Sequence, residues 1–215
     1  MQIDLFSDTV CPWCRIGKRH LELALEGWTG EPVTVRYHSF FLDPDVPAGG
    51  RDFKAHMLAK GGGRMTLADF FTAPTERGAA VGLVFDFDAI ERAPNTMLSH
   101  RLVWLTPEPL RGAMLDAIYA AYFEFGRDIG DLDVLVDLAG EVGLDAEATR
   151  AALLGDAAED QVLADVDYAR QAGISGVPFF IFNGKYAFSG AQPPASIRRV
   201  MEQVAAQSRA AGSGG

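Results

Sequence analysis

Strand-forming signals in this chain sit at its two ends, with a long helical stretch between them. Ile3, Leu5 and Phe6 form a short apolar segment. Val33-Thr34-Val35-Arg36-Tyr37-His38 then alternates β-branched and aromatic residues, the pattern of a half-buried strand. The β signal returns only at Val177-Pro178-Phe179-Phe180-Ile181-Phe182, followed by Asn183-Gly184 and Lys185-Tyr186-Ala187-Phe188. Asn-Gly is a preferred type I′ pair, so this last stretch predicts a hairpin. A helical pattern over residues 12 to 26 separates the first two strands, and strand, helix, strand implies a parallel crossover. At 215 residues the chain is long for one minimal domain and short for two. It reads as a single α/β fold carrying an insertion.

The middle supports that reading. Pro47, Gly49, Gly50 and Gly61-Gly62-Gly63 punctuate a stretch with a short helix over residues 51 to 60. Leu67, Phe70 and Phe71 open a helix after Thr66, and Asn95 to Leu105 forms another. Apolar stripes at helical spacing follow: Met114, Leu115, Ile118, Tyr119 and Tyr122; Leu135, Leu138 and Val142; Val162, Val166 and Ala169. Such stripes are core-facing surfaces. Asp145 has the position of a helix N-cap, and Gly155 and Gly173 those of stops. Pro193 and Pro194 start a last helix ending near residue 208, and residues 211–215 read as a flexible tail.

The chain has two cysteines, in Ser7-Asp8-Thr9-Val10-Cys11-Pro12-Trp13-Cys14, at the junction of the first strand and the first helix. A thiol at a helix start faces unpaired backbone amides and the positive end of the helix dipole, which favours thiolate. Cys11 is therefore the expected nucleophile, its sulfur exposed at the helix tip. Cys14, one turn later, is the expected resolving thiol that attacks a mixed disulfide. A zinc site would need about four ligands; a second cysteine pair is missing and His20, His38, His56 and His100 stand apart, so no metal is expected. Asp8, three residues before Cys11, either handles the proton and charge of the thiols or caps the helix. His38 falls at the carboxyl end of the second strand, where α/β proteins tend to place site residues; a structural histidine is the alternative.

With 48% hydrophobic residues the chain can bury a core without disulfide staples. A formal net charge of −10 argues against a nucleic-acid partner, and no apolar run approaches the roughly 20 residues of a membrane span. The start, Met1-Gln2-Ile3-Asp4-Leu5-Phe6, has no export pattern, which points to a cytoplasmic protein. Oligomeric state stays open between monomer and homodimer.

Cys11-Pro12-Trp13-Cys14, the helical middle, and Gly173-Ile174-Ser175-Gly176-Val177-Pro178-Phe179-Phe180 together resemble the DsbA family of thioredoxin-fold oxidoreductases. Pro94-Asn95-Thr96, His100-Arg101-Leu102, Tyr122-Phe123 and Ser189-Gly190-Ala191-Gln192-Pro193 look most like its cytoplasmic FrnE-like branch. The resemblance implies a thioredoxin fold with a large all-helical insertion between the second strand and a cis-proline hairpin. Residues 1–44 and 171–210 would form the thioredoxin-like domain and residues 45–170 the insertion. It implies a thiol–disulfide oxidoreductase acting on protein or low-molecular-weight disulfides. Cys11, Cys14 and Pro178 would be catalytic, and Trp13, Val177, Asp8, His38 and Asn95 would line the substrate site. The redox-active pair would need no cofactor, with glutathione a candidate co-substrate. A related branch, the kappa-type glutathione transferases and 2-hydroxychromene-2-carboxylate isomerases, typically has serine in place of Cys11; it is the alternative class. A third is a non-catalytic binding module with an aromatic groove around Trp13, Phe40, Phe41 and Phe179.

Overall fold

A computed structural model describes residues 1–212. A central strand β1 (Gln2–Ser7) leads into helix α1 (Pro12–Leu25) and strand β2 (Thr34–Ser39), which lies parallel to β1 with Phe6 opposite His38. Strands β5 (Phe179–Phe182) and β6 (Tyr186–Ser189) return as a hairpin whose first strand pairs antiparallel with β1, Leu5 opposite Phe180. The sheet order is β2-β1-β5-β6. Asn183 and Gly184 both have positive φ, +48° and +65°, as a type I′ turn requires. The chain closes with α9 (Pro194–Gly212).

The alternation of β1 decides what covers each face. Ile3 and Leu5, with Phe180 and Phe182, pack on Leu21 and Ala24 of α1 and on Ile197, Met201 and Val204 of α9. Phe6, one register step away, packs on the opposite face against Ala169 and Ile174. Between β2 and β5 lie α2 (Phe53–Lys60), α3 (Leu67–Ala79), α4 (Met97–Leu105), α5 (Arg111–Phe123), α6 (Leu132–Glu141), α7 (Ala146–Leu154) and α8 (Glu159–Gln171). Their caps are those the composition suggested: Thr66 and Asp69 form a reciprocal capping box on α3, and Asp145 accepts from the Ala148 N–H at 2.7 Å. The stretch also contains a two-residue ladder of β3 (Arg51–Asp52) and β4 (Arg92–Ala93), too short for alternation to reveal.

One boundary differs from expectation. α9 runs through Gly212 rather than ending near residue 208, because the Ala-rich end has high helix propensity. Of the expected tail 211–215, residues 213–215 lie outside the described residues. No helix among the described residues is long and apolar enough to cross a membrane.

A buried polar knot joins the helical stretch to the sheet. Asp165 of α8, 7% exposed, accepts from the Ser39 N–H at 2.8 Å and the Trp104 indole N–H at 2.9 Å, and pairs with His38 Nδ1 at 2.7 Å. Nε2 of His38 lies 3.0 Å from Asp4, and the ring stacks on Phe6 at 4.6 Å. Burial alone would lower the His38 pKa, but the Asp165 and Asp4 carboxylates outweigh it and raise it to about 9. The folded value lies above the usual 6.5. The ion pair's contribution is therefore fully present below pH 6.5 and is lost as pH rises towards about 9. Chemical denaturation of wild type and His38→Gln should show a stability difference on the order of 2–3 kcal/mol near pH 6 that shrinks by pH 9.5.

Candidate active site

The cysteine-bearing turn is positioned from both sides. Cys11 is the N-cap of α1 in extended conformation, Pro12 occupies the first helical turn, and the Cys14 N–H donates to Cys11 Sγ at 3.3 Å. The Cys11 N–H donates to the Asp8 carbonyl at 3.1 Å. On the far side, Cys11 Sγ lies 3.8 Å from the Val177 carbonyl oxygen. The Val177–Pro178 peptide bond is cis. Pro178 is buried and Val177 half-buried. α1 approaches this segment through Gly17, where a Cβ would sit 2.8 Å from Pro178 Cγ. No side chain fits between them.

Both cysteines are free thiols. Cys14 is fully buried, and burial, reinforced by the adjacent Cys11 sulfur, pushes its thiol well above the usual range. Cys11, expected to be exposed at the helix tip, is 3% exposed. Its sulfur turns inward to the Cys14 amide and Val177 carbonyl, and Val10, Val177 and Ala191 pack against the cluster that includes it. Trp13, between the two cysteines, points outward and is 38% exposed.

The other expected site residues divide. Asp8 is 1% exposed. It does not cap α1, because Cys11 is the cap; its carboxylate accepts from the Leu42 N–H at 2.7 Å and faces His100 Nε2 at 3.3 Å. With Val10 and Pro12 it lines a cavity of about 140 Å³ beside the cysteine turn. His38 is not brought to the cysteines. It shares the sheet face of Asp4 and Phe6, opposite the face that α1 covers, and both ring nitrogens are engaged by carboxylates. Asn95 is engaged by local backbone: its amide donates to the Val46 carbonyl at 2.7 Å and its carbonyl accepts from the Met97 N–H at 3.0 Å. It locks the loop after β2 to the start of α4.

Two residues at the site were not singled out by the sequence. Tyr119, in an apolar stripe, places its hydroxyl 3.3 Å from the Asp8 carbonyl, and burial with the nearby cysteines raises its pKa well above normal. Gly17 carried no turn signal, being mid-helix. Among the described residues no group of three or more His, Cys, Asp or Glu side chains is arranged to hold a metal ion.

A strand-to-helix cysteine pair set against an X-Pro segment across a thioredoxin-like sheet invites comparison with known families. The model for the DSBA-like thioredoxin domain matches residues 2–202. The chain belongs to that family. A probable DsbA oxidoreductase from Streptomyces coelicolor is 35% identical, with a TM-score of 0.86 over 95% of this chain and 89% of that one. A 2-hydroxychromene-2-carboxylate isomerase matches with a TM-score of 0.72 at 14% identity, over 97% and 98% of the two chains. The cytosolic disulfide reductase DsbM from Pseudomonas aeruginosa matches with 0.67 at 22%, over 94% and 98%, and is also known with GSH bound. The last two share the fold alone.

The DsbA-like site depends on the tight approach of α1 to Pro178. Gly17→Ala forces a methyl group against a rigid ring and should cost about 1–3 kcal/mol, read as a lowered denaturation midpoint. A midpoint equal to wild type would show that the two segments can separate freely.

Proposed function

We propose that the protein catalyses thiol–disulfide exchange through Cys11 and Cys14. The observation that carries this is the asymmetry of the pair. The Cys11 sulfur receives a backbone N–H at the start of α1 and sits beside the Val177 carbonyl, while Cys14 is sealed in with a raised pKa. The exposed edge of that turn is where a substrate backbone can approach, displacing the packing around Cys11.

Cys11 thiolate attacks one sulfur of a substrate disulfide; that S–S bond breaks, one substrate thiolate leaves, and a Cys11 mixed disulfide forms. Cys14 then gives up its proton and attacks Cys11 Sγ, releasing the second substrate thiolate. The pair is oxidised by two electrons and the substrate reduced by two. The two thiol protons end on the released thiolates. The reverse sequence oxidises a substrate dithiol. Membership of the FrnE-like branch and a cytoplasmic setting belong to the same proposal; DsbM, which is described as cytosolic, is in keeping with that setting.

The isomerase-type fold neighbour keeps a second reading in view, but a nucleophilic cysteine at position 11 favours disulfide chemistry. Cys11→Ser should abolish reduction of insulin and of a glutathione mixed disulfide. Cys14→Ser should retain the first step and accumulate a Cys11 adduct visible by mass spectrometry. Undiminished disulfide reduction by Cys11→Ser would end the proposal. Turnover of an aromatic isomerisation substrate with glutathione would move it to the isomerase class.

A further inference from the structure

Beside Trp13 runs a cleft of about 270 Å³ that shares no lining residue with the Pro12 cavity. Trp13, Ile16 and His20 of α1 form one wall, Arg77 of α3 another, and Ala191 and Pro193 before α9 the floor. It adjoins the cysteine turn through Trp13, the residue between Pro12 and Cys14, and its floor residue Ala191 packs against the core cluster to which both cysteines belong.

The charge of this cleft is anomalous. The protein carries a net −10, yet no carboxylate lines the cleft. The other cations of α1 are occupied. Arg15 pairs with Glu124, Lys18 with Asp116 at 2.6 Å, and Arg19 with Glu22 at 3.5 Å, while the His20 ring bonds the Gln192 carbonyl at 2.9 Å. Arg77 is exposed and, among the described residues, has no hydrogen bond or ion pair. The Pro12 cavity offers no such charge, because His56 and Lys60 both pair with Asp43, at 2.9 and 3.2 Å. A guanidinium presents a planar fork suited to a carboxylate, and the Trp13 ring beside it offers a flat apolar surface.

We propose that this cleft binds one arm of a small, carboxylate-bearing disulfide, with Arg77 as the carboxylate receptor. The assignment rests on the proposed exchange chemistry and names its substrate class. At about 270 Å³ the cleft is below the usual range for a whole drug-sized ligand, roughly 300–1,000 Å³, so it takes one arm and leaves the disulfide at Cys11. The reduced pair supplies both electrons and both protons: the substrate S–S bond is exchanged for Cys11–Cys14, and two small thiols leave.

Single-turnover thiol release by the reduced protein, with glutathione disulfide and with uncharged 2-hydroxyethyl disulfide, tests this. Arg77→Ala should lower the ratio of the two second-order rate constants about tenfold, and Arg77→Lys should recover part of it. Arg209→Ala, an equal loss of charge on α9, should leave the ratio in place. An unmoved ratio in Arg77→Ala overturns the assignment. Calorimetric binding of S-methylglutathione, which has no disulfide, separates the two proposals. Arg77-dependent binding to a protein that reduces neither disulfide would overturn the exchange chemistry and sustain the cleft. Reduction of both, with no Arg77 dependence in rate ratio or binding, would do the reverse.

Discussion

The close approach of Gly17 to Pro178 is the contact on which the site is built. α1 starts from the carboxyl end of β1 and β5 pairs with β1 on its other side, so the helix and the segment before β5 must cross near one point. Because residue 17 has no side chain, the helix can lie against the proline ring. That sets the Cys11 sulfur facing the Val177 carbonyl. Cys14, one turn further along α1, is fully buried, so the proposed exchange would begin at Cys11, the thiol at the helix start.

The helical stretch meets this core through a shared apolar cluster, which includes Cys11, Cys14, Ile16, Met114, Leu115 and Ile118, and through ion pairs. Arg15 and Lys18 project from α1 into the insertion and meet Glu124 and Asp116, and Asp165 binds β2 and α4 from the other face of the sheet. Removing one partner of such a pair leaves an uncompensated buried charge. The two pairs made by α1 therefore tie α5 and the residue after it to the helix that carries the cysteines. Arg77 has no such partner among the described residues, and the cleft it lines lies between α1, α3 and the segment before α9.

Much of the architecture could be read from local pattern, because its elements obey strong local rules. β1, β2 and the Asn183-Gly184 hairpin follow from alternation and turn chemistry, and α3 and α7 from their caps. The two-residue ladder of β3 and β4 follows no local rule. It exists because the loop after β2 and the segment before α4 are brought together by the surrounding helices. His38 and Asn95 show the same limit in the site. Each stands where sequence position suggests a site residue, yet each spends its polar atoms on internal partners.

The sequence by itself determined the candidate reactive pair and the kind of fold: two cysteines at a strand-to-helix junction, a proline heading the returning strand, and a helical middle. These are matters of residue identity and near-neighbour spacing. Tertiary structure alone decided that both thiols are enclosed with Cys11 turned inward, that Asp8 turns to His100 and Leu42, and that Arg77, unpaired among the described residues, shares a cleft with Trp13. Those outcomes depend on contacts between residues tens to more than a hundred positions apart, whose geometry is set only when the core has packed.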